Sequence, residues 1–303
     1  MASPAAPYAL IDLEHMGRRE SVAACLLSTG AGVVVVDPGP TVSLEKLRSG
    51  LAREGHDLAE LSAVLLTHIH LDHAGATGTL AREIPALRVY VHEAGAPHLV
   101  DPGKLLSSAT RLYGERMATL WGEVAPVPAD RVTPLRGGER LTLGGRRLEV
   151  AYTPGHAWHH VSYFEPESGI AFVGDTAGIF GPRLPVVLPV TPPPDFDLEA
   201  WLASIDRILA WSPREIVLTH YGPARQPEAH LQALRDGLLA WAGYARESLA
   251  LPGTDAERSR SFVRALEGWI AGRVAPEQAS KFLAGAGPEA CWHGLARYLR
   301  KKQ

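Results

Sequence analysis

Thr67-His68-Ile69-His70-Leu71-Asp72-His73-Ala74-Gly75-Ala76-Thr77 carries three histidines and one aspartate within the six positions from 68 to 73. They follow the apolar run Ala63-Val64-Leu65-Leu66, which predicts a buried strand opening into a loop. A packed core has no use for four such polar groups at one place. A divalent metal does, because neutral imidazole and carboxylate are its preferred nitrogen and oxygen ligands. Further ligand types stand after later predicted strands: His156 in Thr153-Pro154-Gly155-His156, Asp175 in Gly174-Asp175-Thr176, and His220 after Ile216-Val217-Leu218. Strand followed by ligand thus occurs four times. Strands of one sheet tend to end along one edge, where such side chains can converge.

Residues 8–36 form short strands, the clearest being Val33-Val34-Val35-Val36, which ends at Asp37-Pro38-Gly39-Pro40. Leu44, Leu47 and Leu51 set a helical face over 41–54, and a helix follows the histidine-rich loop over 75–83. Further strands are predicted at 87–91, 140–143, 147–152, 161–165, 170–173 and 215–218. Residues 101–122 are helical in part. Residues 181–197 hold six prolines and read as loop, excluding a helix or central strand. A helix at 198–211 precedes the last strand, and beyond Gln226 the chain is helical with a break near Pro252-Gly253. This order predicts a sheet-on-sheet core covered by helices.

The chain has 303 residues, 46% hydrophobic and 21% charged, with 30 basic and 33 acidic groups. That is enough chain for a full core, and its near-neutral balance carries no nucleic-acid footprint. Two distant cysteines, Cys25 and Cys291, make no disulfide framework and favour a reducing compartment. The first residues do not read as a signal peptide, and no uncharged stretch approaches a membrane span. A cytoplasmic location is the expectation.

The ordered set resembles the metallo-β-lactamase superfamily of metal-dependent hydrolases. Its His-x-His-x-Asp-His signature is His68, His70, Asp72 and His73, and its three later ligands match His156, Asp175 and His220. The resemblance covers roughly residues 10–225. It makes 1–225 a metal-binding domain and leaves 226–303 as a C-terminal helical extension. It implies an α/β (α+β) fold: a four-layer αβ/βα sandwich of two mixed β-sheets flanked by helices. It also implies two divalent ions, zinc foremost with iron or manganese as alternatives. One ion takes His68, His70 and His156, the other takes Asp72, His73 and His220, and Asp175 bridges them. In the family the aspartate matching Asp37 supports a ligand histidine, though a turn cap is the other reading of Asp37 here. His160, four residues after His156, is expected behind the ligands, and His159 in solvent. Trp158 either walls the pocket or packs.

The activity this implies is hydrolysis of a small-molecule carbonyl substrate, a thioester or a lactone or other ester, by a hydroxide shared between two metals. Asp72 both ligates and orients the nucleophile. Tyr221 either donates to the oxyanion or packs at a strand end. No Gly-x-Ser-x-Gly is present to offer a serine nucleophile. The alternative from another class is a persulfide dioxygenase with a single iron on His68, His156 and Asp175. A phosphodiesterase is disfavoured by the missing basic arm. The flavodiiron branch wants Glu where His70 stands. No basic cluster suited to glutathione carboxylates is evident, and Arg300-Lys301-Lys302 is too generic to count. Trp241, Tyr244, Phe262, Trp269 and Trp292 are spaced for packing, as a helical cap or as a homodimer surface.

Overall fold

The structure is a computed structural model and describes residues 7–181, 184–275, 279 and 287–302. Two six-stranded mixed sheets lie face to face. The first runs β1 (Ala9–Asp12), β2 (Ala23–Thr29), β3 (Gly32–Val36), β4 (Leu61–Leu65), β5 (Arg88–His92) and β6 (Val132–Leu135), neighbours in that order. The second contains β7 (Arg140–Leu143), β8 (Arg146–Tyr152), β9 (Val161–Glu165) and β10 (Ile170–Phe172). It is completed by β13 (Glu215–Leu218) and β14 (Gly222–Ala224), in the order β14-β13-β10-β9-β8-β7.

The all-valine strand shows why the layers form. Successive strand side chains point to opposite faces. Val34 and Val36 join Leu65, Val150, Val161, Tyr163 and Phe172 in the core between the sheets. Val33 and Val35 join Leu44, Leu47 and Leu51 of helix α1 (Leu44–Arg53) in the core outside the first sheet. A strand buried on both faces needs a continuous apolar run rather than an alternating one. On the outer face of the second sheet, Ala171, Ile216 and Leu218 pack against Trp201, Trp241, Phe262 and Trp292. These belong to the helices Leu198–Ala210, Pro227–Ala250, Asp255–Ala271 and Pro288–Lys301. Trp241, Phe262 and Trp292 are fully buried there, so the C-terminal aromatics act as a cap on the sheet. The layering is the expected four-layer sandwich with C-terminal helices.

Several local expectations change. The segment 181–197 is not loop throughout: β11 (Ile179–Gly181) and β12 (Leu184–Leu188) pair as a separate two-stranded ribbon. Proline fits there because an edge strand does not need every N–H for a ladder. Residues 101–122 hold two helices, Gly103–Tyr113 and Met117–Trp121. The short strands β6 and β14 have no counterpart in the sequence reading. The expected helix beyond residue 271 falls partly on 276–278 and 280–286, outside the described residues. Cys25 and Cys291 are both buried. Among the described residues no helix is long and apolar enough to cross a membrane.

Candidate metal centre

The seven ligand types gather at one edge of the sandwich, and both sheets supply them. Strands β3 and β4 are parallel, so Asp37 and the His68 loop leave the first sheet at the same end. Strands β8, β10 and β13 run in one direction, because β9 is antiparallel to both β8 and β10 and β10 is parallel to β13. His156, Asp175 and His220 therefore leave the second sheet together. Backbone bonds stitch the two edges: Val161 N donates to Thr67 O at 2.8 Å and Ala23 N to Thr219 O at 2.9 Å. Convergence is thus between two sheets and not along one.

Two groups result. His68, His70, His156 and Asp175 each present a ligand atom within 4.8 Å of the others, as do Asp72, His73 and His220. Asp175 faces both. Its Oδ2 lies 3.4 Å from His156 Nε2, and its Oδ1 lies 3.2 Å from His73 Nε2 and 3.7 Å from His220 Nε2. His70 Nδ1 and His156 Nε2 are 3.0 Å apart, and His220 Nε2 is 3.2 Å from Asp72 Oδ2.

The imidazoles are held from behind in one tautomer. A carboxylate or carbonyl oxygen can only accept, so the nitrogen facing it carries the proton. His73 Nδ1 donates to Asp37 Oδ2 at 2.8 Å, His156 Nδ1 to Val190 O at 2.8 Å and His220 Nδ1 to Ser21 O at 2.7 Å. Each of these rings turns its Nε2 into the cluster. His68 Nδ1 lies 3.1 Å from Thr67 Oγ1, whose own proton goes to Asp37 Oδ2 at 2.7 Å. Its Nε2 is likewise left for the cluster. Such partners fix ring orientation and raise ligand basicity.

Asp37 is the hub of this layer. It is fully buried and accepts from Thr67 N, Thr67 Oγ1, Thr219 Oγ1 and His73 Nδ1. Its φ of 50° is left-handed, a conformation Asp tolerates better than most residues. His160, also buried, accepts from Asp175 N at 3.2 Å through Nε2, and its Nδ1 meets Thr153 Oγ1 and Thr176 Oγ1. Gly174, just before Asp175, sits at φ +46°, and a Cβ there would come within 2.5 Å of Thr67 Oγ1 and 2.8 Å of His160 Nε2.

Charge and burial fit a divalent cation. His68 Nε2, His73 Nε2 and Asp175 Oδ1 are buried without a hydrogen-bond partner, although such atoms are costly to leave unpaired. The 3.2 Å approach of the last two is an ion-pair distance without hydrogen-bond alignment. Burial pushes His68 well down and His70 down to about 3, favouring the neutral imidazole a metal takes. Burial lowers His73 too, but Asp175, Asp37 and Asp72 overcome it and hold its charged form. Burial opposes the charge of Asp72 and Asp175, yet the imidazoles of His73 and His220 keep both carboxyls below their ordinary range. Three carboxylates around one ring are an excess of negative charge that a divalent ion neutralises.

Some expected residues lie elsewhere. His159 is not in solvent: its ring stacks on His68 at 6.0 Å, meets His70 edge-on at 5.6 Å and stands 3.7 Å from Asp195 Oδ2. The preceding Trp158 takes the outward position and is 45% exposed. Tyr221 is half-buried, and the carboxylates its phenol feels are Asp12 and Glu20. The sequence reading missed Thr67 and Thr219. Their signal was present: Thr-His occurs at the end of β4 and again at the end of β13.

Residues 17–220 match the family described as the metallo-beta-lactamase superfamily. The metallo-beta-lactamase fold-containing protein ST1585 of Sulfurisphaera tokodaii is 32% identical over 168 residues, 54% of this chain and 62% of that protein. A hydroxyacylglutathione hydrolase of Synechococcus sp. (strain JA-3-3Ab) is 34% identical over 146 residues, 48% of this chain and 44% of that protein. These matches span less than two thirds of either relative. Among solved structures, the metallo-beta-lactamase family protein TTHA1429 from Thermus thermophilus superposes with a TM-score of 0.73 at 23% identity. The match covers 98% of this chain and 94% of that one, and it shows a shared fold.

Proposed function

The chain belongs to the metallo-beta-lactamase superfamily, and from that premise we propose that it hydrolyses a small carbonyl substrate, a thioester or else a lactone or other ester. The observation that carries this reading is the Asp175 carboxylate, with one oxygen toward His156 and the other toward His73 and His220. We assign His68, His70 and His156 to one divalent ion, Asp72, His73 and His220 to a second, and Asp175 to both. The imidazole-rich donor set suits zinc. Bound there, such ions polarise a carbonyl and lower the pKa of water to about 7.

The protein's own groups do the positioning. Asp37, Ser21 O and Val190 O hold three imidazoles with Nε2 inward. His160 fixes the backbone N–H of Asp175, and so the start of the bridging carboxylate. The Asp72 side chain is 26% exposed against 5% for Asp175, so it is the carboxylate that solvent reaches. It accepts a hydrogen bond from the attacking water and aims that water at the carbonyl carbon. Burial pushes the Tyr221 phenol up to about 12, so it stays protonated and is able to donate a hydrogen bond. Water adds to the acyl carbon and the carbon–sulfur or carbon–oxygen bond breaks. A carboxylate, a thiol or alcohol, and a proton leave.

The test is metal analysis followed by a matched panel of thioesters, lactones and phosphodiesters. Turnover of a carbonyl substrate that His68→Ala abolishes together with metal binding supports the reading. Turnover of phosphodiesters alone, or oxygen consumption with one iron per chain, overturns it.

A further inference from the structure

The run Arg300-Lys301-Lys302, featureless as sequence, divides in the fold. Lys302 Nζ lies 3.4 Å from Glu199 Oε2, and Arg300 holds both carboxylate oxygens of Asp255. Lys301 belongs to neither pair. It lies on the exposed stripe of helix Pro288–Lys301 with His293 and Arg297, each four residues from the next. These three, with Ala296 and Arg300, line an open cleft of about 480 Å³. Among the described residues no carboxylate lines that cleft, and no hydrogen bond or ion pair occupies Arg297 or Lys301.

The helix that carries the stripe packs on a segment that reaches the candidate metal centre. The other side of the helix is seated on the segment 190–196. A Cβ on Gly294 would come within 2.0 Å of Thr191 O, Thr191 Oγ1 donates to Cys291 O at 3.2 Å, and Tyr298 meets Phe196 edge-on at 5.2 Å. That same segment enters the cluster. Val190 O holds His156, and Asp195 Oδ2 stands 3.7 Å from His159 Nε2. Burial raises the Asp195 carboxyl, while His156, the Trp158 N–H, Lys301 and Arg297 all draw it down. Asp195 thus feels both an imidazole of the cluster and two cations of the basic stripe.

Cations that face one open cleft with no ion pair of their own repel each other, and an anion entering the cleft relieves that repulsion. The planar guanidinium fork matches phosphate oxygens in pairs, and lysine adds a compact point charge. A phosphate group offers more charge and more acceptor oxygens than one carboxylate. We propose that Arg297, Lys301 and His293 form an anion subsite for a phosphate group on the leaving half of the substrate. The thioester is then one carried by a phosphorylated thiol. This rests on the hydrolase reading above and names its substrate class.

The test has two arms on the metal-loaded protein. The first is calorimetric titration with adenosine 3′,5′-bisphosphate, a phosphate-bearing probe that has no thiol. Wild type binds it, salt weakens the binding, and the doubly substituted Arg297→Ala/Lys301→Ala protein binds at least about tenfold more weakly. Both side chains are exposed, so the fold tolerates the change. The second arm compares butyryl-coenzyme A with butyryl-pantetheine, the same thioester with and without nucleotide phosphates. Wild type prefers the first in kcat/KM, and the double substitution moves that ratio toward one. If neither thioester is turned over but the bisphosphate binds and the double substitution removes it, the hydrolase reading fails and the subsite stands. If both thioesters are turned over alike, or bisphosphate binding is unchanged by the substitutions, the subsite falls and the hydrolase reading stands. Inorganic phosphate binding as tightly as the bisphosphate overturns the assignment to a carrier.

Discussion

Replacing Asp37 by asparagine changes one atom and tests the whole layer behind the candidate ligands. Oδ2 accepts from Thr67 Oγ1, Thr219 Oγ1 and His73 Nδ1, and Oδ1 accepts from Thr67 N. Asparagine has a single acceptor oxygen. Placed at the Oδ2 position, it keeps three donors satisfied and turns its NH2 against the Thr67 N–H. Placed the other way, it faces three donors with none satisfied. The first arrangement is the smaller loss, one orphaned buried donor at about 1–3 kcal/mol, which lowers Tm by roughly 2–10 °C. His73 keeps its tautomer but loses the carboxylate's charge, and changes behind metal ligands weaken metal binding about 10–100-fold. His68 reaches Asp37 only through Thr67 Oγ1, so its ion should weaken less. Chelator-competition titration of both sites, with calorimetric melting, measures all three quantities. Wild-type affinity at the His73 site, or equal weakening at both sites, refutes the reasoning.

Gly174→Ala places a methyl 2.5 Å from Thr67 Oγ1 at a left-handed φ. That costs about 1–2 kcal/mol in backbone alone and more in displaced ligands, and metal content per chain should drop with stability. Tyr221→Phe should lower kcat less than about tenfold, below the 10²–10³ expected of a dominant oxyanion donor, because the carboxylates that act on the phenol are Asp12 and Glu20 and not Asp72 or Asp175. A larger loss would return it to the centre of the chemistry. Glu165 is buried and pairs with Arg146 through both oxygens at 2.6 and 2.7 Å. Burial raises its carboxyl, but Arg146 and Ser168 prevail and lower it. Its stabilisation is therefore complete above the unfolded Glu value of about 4.3 and is lost as pH falls below that. Glu165→Gln should cost about 3 kcal/mol at pH 7 and progressively less in acid, read by urea denaturation at several pH values.

The candidate ligands were legible because metal coordination demands rare residue types in fixed order, and His68 to His73 are contiguous. The layers were legible where apolar runs were long, as at Val33–Val36. What was hidden follows from the kind of group involved. Ser21 and Val190 act through backbone carbonyls, which any residue carries. Thr67 and Thr219 act through hydroxyls whose usual roles are local, and only the fold brings both to Asp37. The ribbon of β11 and β12 was hidden by prolines, and β6 and β14 by their shortness. The inward turn of His159 was hidden because the irregular segment before β9 follows neither a strand nor a helix period. Nothing in Arg300-Lys301-Lys302 told which cations Asp255 and Glu199 would take.

The proposed two-ion centre turns on one carboxylate serving both ions. Anomalous diffraction from crystals of the zinc-loaded protein tests this directly. Two peaks should flank Asp175, one among His68, His70 and His156 and the other among Asp72, His73 and His220. A single peak at saturating zinc, or a second peak away from Asp175, would contradict it.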